Sequence, residues 1–360
     1  MACKSRQQPA LPIWTHLLLP ADATQPASPA PRDRRARALA ALLFFGLIAL
    51  LAAVAVAPLP RPPLTVAMGP WLGYDPLVLL REQERLPASL RLVGLPSATD
   101  TLDSLRDGRL DAAAVTLDEA LRLWRRMPDL RVIAVLSESR GADGVVLRAG
   151  IDPRPGLAGR RVLVEDSAVG GLMLAASLRA SGLGPEAVSV AQVRAVHLER
   201  RWQDGDAEAV VCYEPLLSRL LAQGHTLLHS TREMHGLIYD VLVAREPVIE
   251  TRADAVSELL AAWQEGVIAF RTPAALPIDR LVPGTGLSEA EYRAALAGIE
   301  FFDSGQSHAL LSTPGSALAR VLPELAALLT VRGELVETPG PSLLDPRPQA
   351  ALRARAGDAD

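Results

Sequence analysis

Apolar positions in this chain first run together and then fall into a short, repeated alternation. From Ala38 to Pro60, "ALAALLFFGLIALLAAVAVAPLP" contains no charged residue, and about 20 apolar residues suffice to cross a bilayer. Arg34, Arg35 and Arg37 flank the run on its N-terminal side, a bias that holds that end in the cytoplasm. The pattern predicts an uncleaved transmembrane anchor over 38–58. A cleaved secretory signal ending at "AVA", 55–57, is the alternative, and Pro58 directly after that site argues against cleavage. Either way the remainder lies outside the cytoplasm, on the periplasmic or an equivalent face. Residues 1–37 read as a disordered basic leader.

Beyond the stiff spacer "LPRPP" the period changes. "LTVAMG" (64–69), "LRLVGL" (90–95), "DAAAVT" (111–116), "LRVIAVLS" (130–137), "GVVLRA" (144–149) and "RVLVED" (161–166) have the length and branched-residue content of strands. Helical patterns stand between them, over 76–84, Asp100 to Asp107 and "GGLMLAASLRASGL". In "ADAVSELLAAWQEGVIAF", Val256, Leu259, Leu260, Trp263 and Val267 share one helical face, which makes Trp263 a core residue. Strand–helix alternation predicts an α/β fold with mostly parallel strands. The segment 336–360, rich in Pro, Ala and Arg, reads as an extended or disordered tail.

One segment occurs twice. "LDSLRDGRLDAAAVTLDEALRL" (102–123) and "LERRWQDGDAEAVVCYEPLLSRL" (198–220) each close a helix at Asp-Gly, where Gly supplies the left-handed cap. Each then opens an Ala/Val strand after an acidic residue, Asp111 or Glu208, and ends it at Thr116 or Tyr213. Two α/β lobes of one design follow. Ligands of open parallel sheets sit beyond the carboxyl ends of the strands, so Thr116 and Tyr213 are expected to face a shared cleft.

Charge and composition narrow the chemistry. The net charge of −4 divides into +4 on residues 1–37 and −8 on the rest. That acidic body has no basic patch with interleaved aromatics, which excludes nucleic acid as a partner. Lys4 is the only lysine, so the body can neither form a Schiff base nor anchor pyridoxal phosphate. His225 and His229 fall in the strand-like "GHTLLHS", where four residues span about 13 Å, and no metal-ligand spacing appears. Cys212, in "AEAVVCYEP", reads as a buried, inert thiol. No nucleophile elbow or P-loop is present. The expectation is a binding protein without catalytic residues, cofactor or metal.

Binding chemistry has more support. Trp71, Gly73 and Tyr74 form the turn after the first strand, with two aromatic faces for stacking. Ser167 with Gly170 and Gly171, and Ser97, Thr99 or Asp100 in the first lobe, open helices whose amide ends suit an anion or carbonyl. Glu214 and Asp240 suit an amine. An inward Arg140 would tilt the balance back to an anion.

In order along the chain, "WLGYDPLVLLREQERL", "VGLPSATDTLDSLRDGRLDAAAVT", "SRGADGVVLR", "LAGRRVLVEDSAVGGLMLAASLRASGL", "AVVCYEPLLSRLLAQGHTLLHST" and "GLIYDVLVAREPVI" resemble the type II substrate-binding proteins of ABC importers for nitrate, sulfonates, taurine and thiamine pyrimidine precursors. The resemblance covers roughly 64–335. It implies a two-lobed periplasmic binding protein-like fold with two hinge crossings, at Asp143–Val146 and Ile238–Val241. Lobe one would be 64–142 with 242–335, and lobe two 143–241. It also implies a cleft lined by Trp71, Gly73, Tyr74, Ser97 and Thr116 from lobe one, and by Ser167, Gly170, Tyr213 and Glu214 from lobe two. Asp240 would sit near the second crossing. The implied partners are a small-molecule ligand and an ABC permease, with the N-terminal helix holding the chain to the membrane. Two alternatives are an anchored ligand-sensing receptor of the same fold and a degenerate pyrimidine-forming enzyme, against which the missing lysine argues.

Overall fold

In the computed structural model of the chain, residues 31–56, 61–271, 276–331 and 341–357 are described. The chain divides into two units, Met1–Arg61 and Pro62–Asp360. The leader expected over 1–37 falls mostly outside the described residues, as do 57–60 at the end of the apolar run.

In the first unit, helix α1 (Pro31–Val56) contains 26 residues, about 39 Å at 1.5 Å per residue. Its segment Arg35–Ala52 is long and apolar enough to cross a membrane, a property shared by anchors and signal sequences. Large side chains along it, including Leu42 and Phe45, are exposed.

The second unit is built on two sheets. The first contains β1 (Leu64–Met68), β2 (Leu90–Gly94), β3 (Ala112–Thr116) and β4 (Leu130–Ser139), and the second begins with β5 (Asp143–Leu147). The second continues with β6 (Arg161–Glu165), β7 (Ser189–Val193), β8 (Ala209–Tyr213) and β9 (Thr226–Ser230). The chain then returns to the first sheet with β10 (Tyr239–Arg245) and β11 (Ile299–Phe301). The strand orders are β11-β4-β10-β3-β1-β2 and β7-β6-β8-β5-β9. Asp143–Val146 therefore lies within the second sheet and Tyr239–Val241 within the first. The chain passes between the sheets at 140–142 and 231–238.

The sheets share a plan. In each, a first strand (β1 or β6) pairs in parallel with the two that follow it in sequence, and an antiparallel strand arriving from the other lobe (β10 or β5) flanks the third. The duplicated segment supplies equivalent elements: α3 (Ala98–Arg106), β3 and α4 (Leu117–Trp124) in one, α6 (Ala195–Gln203), β8 and α7 (Leu216–Ala222) in the other. Gly108 and Gly205 take φ of +72° and +84° to end their helices. The acid before each strand also repeats its task. Asp111 Oδ2 accepts from the Thr65 amide at 2.7 Å, and Glu208 Oε2 from the Arg161 amide at 3.4 Å, tying third strand to first.

The remaining helices are α2 (Asp75–Glu82), α5 (Ala168–Ala180), α8 (Glu246–Thr251), α9 (Ala253–Phe270), α10 (Glu289–Leu296), α11 (Ser304–Ser312), α12 (Ala317–Val331) and α13 (Arg347–Gly357). Apolar faces of α2 and α9 close one side of the first sheet. Trp263 is buried there, and its Nε1 donates to the Phe302 carbonyl at 2.9 Å.

The tail departs from expectation. Residues 347–357 form a helix, not an extended strand, and Gln349 is buried with its Oε1 accepting from Ser304 Oγ at 2.7 Å. The Ala/Arg/Gln content that reads as low complexity is also good helix-forming content, and Pro348 sits in the first turn, where it costs nothing.

Candidate functional site

The carboxyl ends of β1, β3, β6 and β8 converge on one cavity of about 60 Å³, the position that open α/β sheets reserve for ligands. Of the residues expected at the cleft, Trp71, Tyr74, Thr116, Tyr213 and Asp240 line this cavity. Trp71 and Tyr213, from opposite lobes, meet edge to face with ring centroids 5.7 Å apart. Further contacts span the lobes beside it. Thr99 Oγ1 donates to the Asp166 carbonyl at 3.3 Å, and Arg219 to the Thr285 carbonyl at 2.5 Å.

Asp240 organises one wall. Its Oδ2 accepts from Trp71 Nε1 at 2.9 Å and Ser137 Oγ at 2.6 Å, and its Oδ1 from the Tyr74 hydroxyl at 3.1 Å. Burial pushes its carboxyl up to about 6, against the pull of those three donors. Asp240 stands opposite Thr116 in the β10–β3 ladder, and Asp143 stands opposite Tyr213 in the β5–β8 ladder. Asp143 is thus the counterpart of Asp240 in the second lobe, with its carboxyl pushed by burial up to about 7.

Two more carboxylates complete the lining, Glu119 and Glu165. Glu119, in the first turn of α4, accepts from the Thr116 amide at 3.1 Å. Burial, with Asp118 beside it, raises it to about 8. Glu165 pairs with the Tyr213 hydroxyl, and burial raises both groups. No Arg, Lys or His lies among the described lining residues. Arg140 is occupied by Glu138 at 3.0 Å and Glu300 at 2.6 Å.

The other expected site residues have structural tasks. A Cβ on Gly73 would collide with Trp71 Nε1 and the ring atoms beside it, so this glycine makes room for the indole to fold back over its own turn. Ser97 and Ser167 cap α3 and α5, accepting from the Asp100 amide at 3.1 Å and the Gly170 amide at 3.3 Å. Gly170 lets α5 approach β6, where a Cβ would come to 3.0 Å from the Glu165 carbonyl. It borders a void of only about 10 Å³ beside Asp143 and Tyr213. Glu214 is buried but outside the cavity lining, and both its oxygens are taken by Ser218, from the amide at 3.1 Å and the hydroxyl at 2.8 Å. A buried carboxylate two residues before a helix satisfies that helix's free amides.

Glu119, Asp143 and Glu165 are the lining acids that sequence reasoning did not select. The signal for Asp143 was available in the duplication, since it is to β8 what Asp240 is to β3. Cys212 is buried, and its thiol is pushed far up by burial, which keeps it neutral and unreactive. His225 Nδ1 accepts from the Ala149 amide at 2.9 Å, and His229 Nε2 meets Ser181 Oγ at 2.9 Å. Neither joins a metal-binding cluster among the described residues.

Residues 57–276, more than half of the chain, match the NMT1-like family, and the chain belongs to it. A search of curated proteins returns no match. The structure resembles the alkanesulfonate-binding protein SsuA from Xanthomonas axonopodis pv. citri bound to MOPS, with TM-score 0.64 and 17% identity over 80% of this chain and 98% of that one. It also resembles the periplasmic aliphatic sulphonate binding protein SsuA from Escherichia coli, with TM-score 0.62 and 18% identity over 81% and 92%. The desulfurization enzyme DSZB shares the fold, with TM-score 0.61 and 16% identity over 82% and 100%. The molecule has the two-lobed periplasmic binding protein-like fold.

Proposed function

We propose that this chain is an extracytoplasmic solute-binding protein that captures a small organic ligand between its lobes and delivers it to an ABC importer. The observation that carries the reading is the cavity at the carboxyl ends of both sheets, bridged by the Trp71–Tyr213 contact. Hinge motion at 140–142 and 231–238 would open it, and closure over the ligand would create the form that a permease recognises. The same reading is supported by structural relatives described as sulfonate-binding proteins and by one from Staphylococcus aureus described as the ligand-binding component of an ABC-type import system.

No bond is made or broken in this scheme. The Cys212 thiol is buried, neutral and outside the cavity lining, and the lysine-free body cannot form a Schiff base. The apolar helix α1 favours a tethered form at the membrane over a freely diffusing one, and it leaves room for a second reading as a ligand-sensing receptor. Cofractionation of the chain with an ATP-driven permease supports import, and cofractionation with a membrane kinase or cyclase supports sensing.

Ligand capture is tested by thermal stability, because a compound that binds only the folded state stabilises it by mass action. A fractionated small-molecule extract is expected to raise the melting temperature, with the bound compound identified by native mass spectrometry. An unchanged melting temperature with every fraction would overturn the reading.

A further inference from the structure

We propose that the cavity selects a small organic cation bearing N–H donors, of the amidinium, guanidinium or protonated-amine type. This rests on the solute-binding reading above and names the class of its ligand.

The inference comes from what the wall has left to offer. Its main donors are already engaged: Trp71 Nε1 and the Tyr74 hydroxyl on Asp240, with the Tyr213 hydroxyl beside Glu165. Its acceptors are not. Glu119 Oε1 and Asp143 Oδ2 are buried without a hydrogen-bond partner among the described residues, in side chains only 2% and 5% exposed. Thr116 is engaged with Glu119 in the capping box of α4, so these two carboxylate oxygens carry the argument. An orphaned buried acceptor costs its full desolvation energy, and a ligand that donates to two of them recovers it.

Charge points the same way. Four carboxylates line the cavity, no described cation does, and aromatic faces from both lobes adjoin it. Aromatic faces favour cations. The helix ends that might have attracted an anion are already answered, since Asp118 and Glu119 lie in the first turn of α4 and Ser167 caps α5. A sulfonate or nitrate would meet four acids and no free N–H donor among these side chains.

Protonated Glu119 or Asp143 could still donate to an anion, and the direction of the pH dependence separates the two cases. The titratable groups around them are Asp118 on α4, Glu165 on β6, Cys212, Tyr213 and Glu214 at the end of β8, Asp240 on β10 and Tyr74 after β1. Raising the pH ionises the acids among them and favours a cation; it disfavours an anion.

The test uses the full chain in detergent and reads melting temperature with acetamidine, methylguanidine, benzamidine, choline, methanesulfonate and nitrate. At least one of the three N–H cations is expected to stabilise the protein, with choline and both anions ineffective. By calorimetry, Glu119→Gln and Asp143→Asn are each expected to weaken that cation about tenfold or more, while the unliganded variants melt no lower than the parent. Affinity should rise from about pH 5.5 to about pH 8. Choline matching the N–H cations would overturn the donor requirement. Stabilisation by the anions alone, or a cation affinity unchanged in both variants, would overturn the ligand class and leave solute binding standing. If neither the panel nor the small-molecule extract has any effect, the solute-binding reading falls and takes the ligand class with it.

Discussion

Gly73 and Glu214 both stand near the cavity, but their local contacts predict different effects on binding. A methyl group at Gly73 would overlap the Trp71 indole. Gly73→Ala is therefore expected to swing Trp71 off Asp240, removing a 2.9 Å hydrogen bond and the cross-lobe ring contact. Ligand affinity should fall about tenfold or more, with a loss of about 1 kcal/mol in stability, read by calorimetry and chemical denaturation. Glu214→Ala should cost a similar amount, about 1 kcal/mol, through the lost cap on Ser218, but leave affinity unchanged. Lost affinity in Glu214→Ala would place that carboxylate in the site. At this scale the sequence exposed the residues whose type is unusual for their place: two aromatics in a turn and a tyrosine ending an alanine-valine strand. It hid Glu119 and Glu165, because an acid in a first helical turn or at a strand end is ordinary. Only packing shows that these are buried against a cavity.

Among the elements, hydrophobic period made the strands and the long helix α9 legible, and the duplicated segment made the two-sheet plan legible from residue order alone. The duplication held to the level of single hydrogen bonds, with Asp111 and Glu208 each holding the first strand of its own sheet. The last helix was illegible for a physical reason. Helix α13 buries little apolar surface, and a buried amide, Gln349, takes part in its seating by bonding Ser304. A polar contact of that kind leaves no periodic apolar trace. Gln349→Ala is expected to strand Ser304 and lower stability by about 1–3 kcal/mol. Limited proteolysis should then cut within 347–357 in the variant and spare that segment in the parent. Equal cleavage of both would mean that α13 is not held by this contact.

The two lobes together concentrate acids at their junction, and that sets how the whole molecule responds to pH. Asp75, held by the Tyr292 hydroxyl under α2, and Asp143 are pushed to about 7, Asp240 to about 6 and Glu119 to about 8, each chiefly by burial. Folding therefore keeps protons that the unfolded chain releases near pH 4. By linkage, the stability these groups contribute is complete below about pH 4 and is lost progressively as pH rises through about 6 to 8. Acids with lowered values, Asp303 and Glu233 among them, act in the opposite sense, but their contribution is already complete by about pH 5. The unliganded protein should accordingly melt several degrees lower at about pH 8 than at about pH 5, and Glu119→Gln should flatten that decline by removing the group that titrates highest. A ligand that supplies positive charge should narrow the gap between the two pH values, because it stabilises the ionised acids, whereas a neutral ligand should shift both curves in parallel. A melting temperature that is flat or rises over this range would mean that the acids at the junction are solvated, with the lobes standing open in the free protein.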